Sequence, residues 1–155
     1  MPKWGYSVTG LDPSKTVKAS GRERRVSPKA TREVCRAIKG MKLDDAKSFL
    51  GKVIDKKMPV AFARYKKEVP HRRGLERGYA GRYPVKAASE VLNVLENAES
   101  NAENKGLDHE KLRIIHAAAQ RARQTKKMIP RAFGRASPYF EQQTHIELVL
   151  SEMPG

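Results

Sequence analysis

A single cysteine, Cys35, stands in this chain of 155 residues, so no internal disulfide can form and no cysteine cluster offers a zinc site. On helical spacing it reads as a small core residue. No stretch approaches the roughly 18 consecutive apolar residues of a membrane span. The opening Met1-Pro2-Lys3-Trp4-Gly5 lacks the apolar run of a signal peptide. A soluble protein in a reducing, intracellular compartment is the expectation. Hydrophobic residues make up 39% and aromatics 6%, enough for one modest core with much of the chain ordered by other means.

Constellations for catalysis are equally scarce. His71, His109, His116 and His145 are scattered, with none of the spacings of metal ligands. His116 and His145 fall on two late strand segments and read as sheet contacts, since no nucleophile motif accompanies them. Gly74, Gly78 and Gly81 match neither a P-loop nor a dinucleotide fingerprint. The expectation is a protein with no catalytic residues, no metal and no cofactor.

What the chain has is positive charge: +15 overall, with a pI near 10.1. Such an excess repels itself in an isolated fold and becomes useful when phosphates neutralise it. Nucleic acid is the favoured polyanion, ahead of an anionic membrane or an acidic protein. The charge is segregated. Residues 14–36 carry eight Lys or Arg against Glu23 and Glu33, and residues 64–83 carry seven against Glu68 and Glu76. Residues 111–140 carry eight and no acid at all. Residues 87–110 reverse the balance, with six acids facing only Lys105, so that segment should face solvent or another protein.

Periodicity supplies the elements. Ser27-Pro28 is a helix start, followed by Ala30, Val34, Ala37, Ile38 and Met41 at helical spacing, with Gly40 as a stop. A second helix starts near Asp44-Asp45, whose carboxylates suit the positive end of the helix dipole. Its stripe is Ala46, Phe49, Leu50, Val53 and Ile54. A third runs from about Pro84 to Lys105 on Val85, Ala88, Val91, Leu92, Leu95, Ala98 and Ala102, with Gly106 ending it. Strand signals lie at residues 16–26, at Leu112, Ile114 and Ile115, and at Ile146, Leu148 and Leu150 alternating with His145, Glu147 and Val149. The order predicts an α+β fold: three helices packed on one face of a small antiparallel sheet.

Two segments do not suit a core. Residues 117–123 have almost nothing large and apolar, the basic run from Lys126 to Arg135 follows, and residues 117–143 join two strands that can pair. If each arm extends about ten residues beyond the sheet at ~3.3 Å per residue, the resulting hairpin protrudes ~33 Å. Residues 58–83 form a basic inserted loop with arginines interleaved with tyrosines and glycines, a composition suited to phosphate contact and stacking on unpaired bases. Candidate RNA-binding residues are Lys18, Arg22, Arg24, Arg25, Lys29 and Arg32 near the N-terminus. In the insertion they are Arg64, Tyr65, Lys66, Lys67, Arg72, Arg73, Arg77 and Arg82.

Four motifs resemble one family. They are Ser27-Pro28-Lys29-Ala30 with Arg32, Ala98-Glu99-Ser100-Asn101-Ala102-Glu103-Asn104, Met128-Ile129-Pro130-Arg131-Ala132-Phe133-Gly134-Arg135-Ala136 and Thr144-His145-Ile146-Glu147-Leu148-Val149-Leu150. The chain is similar over residues 14–152 to the universal large-subunit ribosomal protein twenty-two family. An N-terminal extension at residues 1–15 and the insertion at 58–83 depart from the shorter bacterial pattern and resemble the archaeal and eukaryotic branch. The resemblance implies a single α+β domain over residues 16–152 that binds large-subunit rRNA and supports its assembly, in the cytoplasm. It implies that the hairpin reaches the peptide exit tunnel, where its tip lies near ribosomal protein four and borders the nascent peptide. Arg121, Arg123, Lys126, Lys127, Arg131 and Arg135 would then contact rRNA. Met128, Ile129, Pro130, Arg131, Ala132, Phe133 and Gly134 would form the tip, with Gly134 allowing the bend.

Rival classes fit less well. A helix-turn-helix DNA reader needs two short helices close together without an acidic third, and a nuclease needs paired carboxylates or histidines. An isolated two-stranded ribbon is marginal in water, so amides of residues 121–136 should exchange rapidly in the free protein and become protected with rRNA. Strong protection throughout that range without RNA would contradict this reading.

Overall fold

Ser27 and Pro28 do open a helix. In a computed structural model, which describes residues 5–75 and 78–153, α1 spans Pro28–Ile38 and follows strand β1, Thr16–Arg24. Trp4 and Arg77 lie outside the described residues. The Ser27 hydroxyl does not cap the helix; its carbonyl instead accepts from the Thr31 N–H at 3.0 Å and the Thr31 hydroxyl at 2.8 Å. Helix α2, Leu43–Ile54, carries Asp44 and Asp45 in its first turn, where the dipole favours them. Helix α3, Val85–Asn104, buries Ala87, Ala88, Val91, Val94, Leu95, Ala98 and Ala102 and ends before Gly106 at φ +72°.

The sheet is three-stranded and antiparallel. Strand β7, Glu141–Glu152, lies between β1 and β4, Leu112–Thr125. In register, Ile146, Leu148 and Leu150 meet Gly21, Ala19 and Val17 on one side and Ala119, Ala117 and Ile114 on the other. This row faces the helices, and its fully buried members each contribute about 1.5–3 kcal/mol of hydrophobic stabilisation. The three helices pack on this sheet as an α+β fold. An extra residue at the bulge between Ile114 and His116 bends β4. Its edge is covered there by the α1–α2 connection: Gly40 N–H donates to the Ile114 carbonyl at 2.8 Å and Ile114 N–H to Met41 at 3.0 Å.

The alternation at the chain's end needs correcting. His145, Glu147 and Val149 are expected on a wet face, yet Glu147 and Val149 are as buried as the core row. Val149 lies between Lys18 and His116 in the ladder. Glu147 is covered by the N-terminal segment: Ser7 gives its N–H at 3.0 Å and its hydroxyl at 2.8 Å to Glu147 Oε2. Gln120 Nε2 donates to the same oxygen at 3.3 Å, and the Arg22 guanidinium lies 3.4 Å from Oε1. A buried carboxylate survives only with this degree of pairing.

Beyond the sheet, β4 and β7 continue as a two-stranded ribbon to the Thr125–Glu141 pair. The ribbon is extended by β5, Met128–Pro130, paired with β6, Ala136–Pro138. Residues 58–83 are more than a loop. Short strands β2, Val60–Ala61, and β3, Gly81–Arg82, pair, and Phe62, Val69 and Ala80 form a second small core against Ala30 of α1.

Gly21 of β1 packs closely against α3. A Cβ there would lie 2.7 Å from Val94 Cγ2. Gly21→Ala should therefore destabilise the fold by about 1–3 kcal/mol in denaturant titration. The cost of Gly21→Ala with Val94→Ala should fall below the sum of the single costs; strict additivity would show that the two sites do not press on each other.

Candidate nucleic-acid interface

The ribbon leaves the sheet at Thr144, and several contacts brace that point. The buried Thr144 hydroxyl donates to the Val26 carbonyl at 2.8 Å, tying β7 to the β1–α1 corner. Glu23, at φ +50°, gives its N–H to His145 Nδ1 at 3.1 Å. His116 hydrogen-bonds the Ser7 hydroxyl at 3.1 Å, while His145 pairs with Gln120, so the two histidines are separate sheet contacts. Glu141 receives both Arg25 and Lys127, the latter at 3.0 Å, and Arg123 lies 3.4 Å from Glu23.

These pairs divide the candidate cations. Arg24 lies 3.5 Å from Glu90 of α3, Arg32 lies 2.6 Å from Glu33, and Arg82 donates to the Glu68 carbonyl at 3.4 Å. With Arg22, Arg25, Arg123 and Lys127 they carry structural contacts of their own. Lys29 sits over the Tyr65 ring at 4.9 Å, Lys66 over Tyr79 at 5.2 Å, Arg72 over Tyr83 at 5.4 Å and Lys18 over Tyr6 at 5.6 Å. Among the described residues, Arg64, Lys67, Arg73, Arg121, Lys126, Arg131 and Arg135 are exposed with no carboxylate in salt-bridge range.

At the tip, Arg131 N–H donates to the Arg135 carbonyl at 2.8 Å, closing a turn over Phe133 and Gly134. Both take left-handed backbone, at φ +58° and +64°. Gly134 adopts this at no steric cost, whereas Phe133 is held in it. The Phe133 side chain is 97% exposed, and Met128, Ile129, Tyr139 and Phe140 are also exposed nearby. An apolar cluster standing clear of any core, flanked by unneutralised cations, has the composition of a surface that another molecule covers.

Acidic residues are the part that composition alone hides. Glu33 is buried in α1, and its carboxylate accepts the N–H groups of Ala63 at 3.2 Å and Arg64 at 3.4 Å, anchoring the insertion. Nothing in its local sequence marks this anchoring role, because the N–H group of Ala63 that it accepts lies 30 residues away. On the acidic helix, Glu96 and Glu103 are exposed as expected, while Glu99 binds Lys47 of α2 and His109. Partial burial pushes the Glu99 carboxyl up, but those two hydrogen bonds and charges hold it below the ordinary range. Cys35 is a core thiol that burial pushes up to about 12. Among the described residues, no group of His, Cys, Asp or Glu could hold a metal ion, and no helix is long and apolar enough to cross a membrane.

Fold and surface thus define a small basic α+β protein with a projecting hairpin. The family described as ribosomal protein L22p/L17e matches residues 19–151. The chain is 54% identical over 158 aligned positions to the large ribosomal subunit protein uL22 of Methanopyrus kandleri, covering 98% of this chain and 99% of that one. It is 51% identical to the proteins of the same name from Methanococcus vannielii (98% and 99% covered) and Archaeoglobus fulgidus (96% of each). The chain belongs to the ribosomal protein L22p/L17e family, in its archaeal-type form, and is a structural protein rather than an enzyme.

The clip at the hairpin root should respond to acid. The hydrogen bond from Lys127, with added charge from Arg25, holds the Glu141 carboxyl below its ordinary value of 4.5 despite slight desolvation. Its stabilising contribution is therefore complete above about pH 4.5 and is lost as pH falls through the lowered value. A carboxyl carbon-13 titration should show this depression, and Lys127→Gln should move the midpoint back up. An unchanged midpoint in the variant would remove Lys127 as the cause.

Proposed function

We propose that this chain is a constituent of the large ribosomal subunit, in the cytoplasm, where it binds large-subunit rRNA and supports its assembly. Residues 16–152 act as one domain, with residues 1–15 as an extension, 58–83 as a basic insertion and 117–143 as the hairpin. The reading is supported by family membership and by relatives named as large ribosomal subunit proteins. The observation that carries the RNA contact is the acid-free stretch of residues 111–140, whose Arg121, Lys126, Arg131 and Arg135 are exposed cations with no carboxylate in salt-bridge range among the described residues.

The two arms bind phosphates along their length, with Arg123 and Lys127 held in place by Glu23 and Glu141 while remaining open to solvent. The tip, residues 128–134, lines the nascent-peptide exit tunnel beside ribosomal protein four and borders the passing peptide. Exposed Phe133, Met128 and Ile129 suit a wall that is apolar but offers no binding pocket to a moving chain. In the insertion, Arg64, Lys67, Arg72 and Arg73 add phosphate contacts, and Tyr65 offers a stacking face.

Replacing Arg131 and Arg135 together by Gln should weaken binding to large-subunit rRNA. The slope of log affinity against log salt should flatten by up to about two units, since each lost phosphate contact releases fewer counterions. An unchanged slope would mean that neither arginine touches phosphate. The native protein should also co-sediment with large subunits through a high-salt wash.

A further inference from the structure

Between α1, α2 and the insertion lies a cleft of about 500 Å³ that the hairpin does not use. Met41 and Phe49 form one wall, and Met58, Phe62 and Leu75 another. Tyr79 stands at the side, 53% exposed, with His71 edge-on to its ring at 4.6 Å and the Lys66 ammonium 5.2 Å from its centroid. The cleft is held open from beneath. Phe62 and Ala80 are buried in the insertion's own core, and Phe62 N–H donates to the Ala80 carbonyl at 2.9 Å. Gly81 leaves room for Leu75, which would lie 3.0 Å from any Cβ there.

Among the described residues, the exposed charges lining the mouth are all positive. Arg36, Lys39 and Lys66 line it and are exposed. Among the described residues, Glu33 is the one carboxylate in the lining, and it is buried and shared among Ala63, Arg64, Arg32 and, at 3.8 Å, Arg36. We propose that this cleft takes a single unpaired nucleobase of an RNA strand, with the adjoining phosphates on Arg36, Lys39 and Lys66.

Three features favour that occupant. The volume falls within the range of small-ligand sites, roughly 300–1,000 Å³. Thioethers and aromatic rings suit the flat, polarisable face of a base, and they do so for any base. An apolar side chain from a neighbouring protein would fill the walls equally well, but it would leave Lys39 and Lys66 at the mouth without a counter-charge, and Arg36 with only the distant edge of a shared Glu33 carboxylate at 3.8 Å. A nucleotide brings both parts at once. The inference rests on the RNA-binding reading above and adds a site to it.

The test uses the full chain and decauridine carrying one central 4-thiouridine. Irradiation should cross-link the thiolated base to residues of the cleft, Tyr79 and Met58 above all. Ala63 is exposed and lines the cleft, so Ala63→Trp can fill it without removing a core side chain. Ala63→Trp should abolish those cross-links and weaken decauridine binding roughly ten-fold, the loss of one stacked base, with the salt slope unchanged. Tyr79→Ala, a change at an exposed ring, should weaken binding in the same direction and guards against misfolding of the first variant. Arg36→Gln with Lys39→Gln should instead flatten the salt slope by about 1.4 units. Wild-type affinity in both Ala63→Trp and Tyr79→Ala would overturn the base site. If the Arg131/Arg135 variant still loses rRNA affinity, only the cleft proposal falls; if it does not, the RNA-binding reading falls with it. Loss of binding to an acidic, leucine-rich peptide in Ala63→Trp, with decauridine binding intact, would overturn the proposal in favour of a protein occupant.

Discussion

Strand β7 has two jobs along one length of backbone, and the rest of the molecule is arranged around that constraint. From Thr144 inward it is hydrogen-bonded on both sides, to β1 and β4, and carries the buried row of Ile146, Leu148 and Leu150. From Thr144 outward to Glu141 it has β4 alone beside it in the ladder. The transition from a packed sheet to an exposed ribbon therefore falls within a single strand. The backbone ladder continues across it while hydrophobic burial stops. The reinforcements cluster there: the Thr144 hydroxyl on Val26, His145 on Glu23, and Glu141 between Arg25 and Lys127. Each joins β1 or its corner to an arm of the ribbon, so that the direction of the hairpin is inherited from the core.

A second theme is the use made of a few acids in a very basic chain. Glu147 under the N-terminal segment and Glu33 under the insertion are both buried; Glu147 takes the N–H and hydroxyl of Ser7 beside Arg22 of β1, and Glu33 takes the N–H groups of Ala63 and Arg64 beside Arg32 of its own helix. Removing either would leave donors without partners in a dry place, a larger cost than the net gain from the pairing itself. The peripheral segments are thus attached by polar anchors, where an ordinary domain would use apolar area. This is consistent with a chain whose hydrophobic content is sufficient for the sheet and three helices and little else. It also leaves most of the cationic surface facing outward, because the anchoring acids are beneath the surface.

Much of this was legible from residue order. The three helices, the early strand and the two late strands follow from periodicity and end signals, since each element had to present an apolar face to the same core. The motif at Met128 to Ala136, with its closing strand, carried the family resemblance that the comparisons then established. The candidate interface was legible as composition: residues 111–140 have no acid, and Arg121, Lys126, Arg131 and Arg135 remain open, although Arg123 and Lys127 find partners from outside the stretch. Less accessible was the division of the other cations. Arg22, Arg24 and Arg25 look alike in sequence, yet one faces Glu147, one Glu90 and one Glu141, all far along the chain. Local pattern cannot distinguish an arginine that holds the fold from one that faces outward.

The sequence by itself determined the number and type of the main elements, the apolar set that fills the core and the sign of the surface, because these depend on side-chain chemistry and on the fixed periods of helix and strand. Only the tertiary structure decided which face of β7 was covered. Alternation assigned Glu147 and Val149 to solvent, yet both are buried, Glu147 beneath the N-terminal segment and Val149 between Lys18 and His116 in the ladder. It also decided that residues 58–83 have a small core and frame a cleft with α1 and α2. Both outcomes depend on groups brought together from distant parts of the chain, and proximity of that kind is a property of the folded backbone that no local spacing encodes.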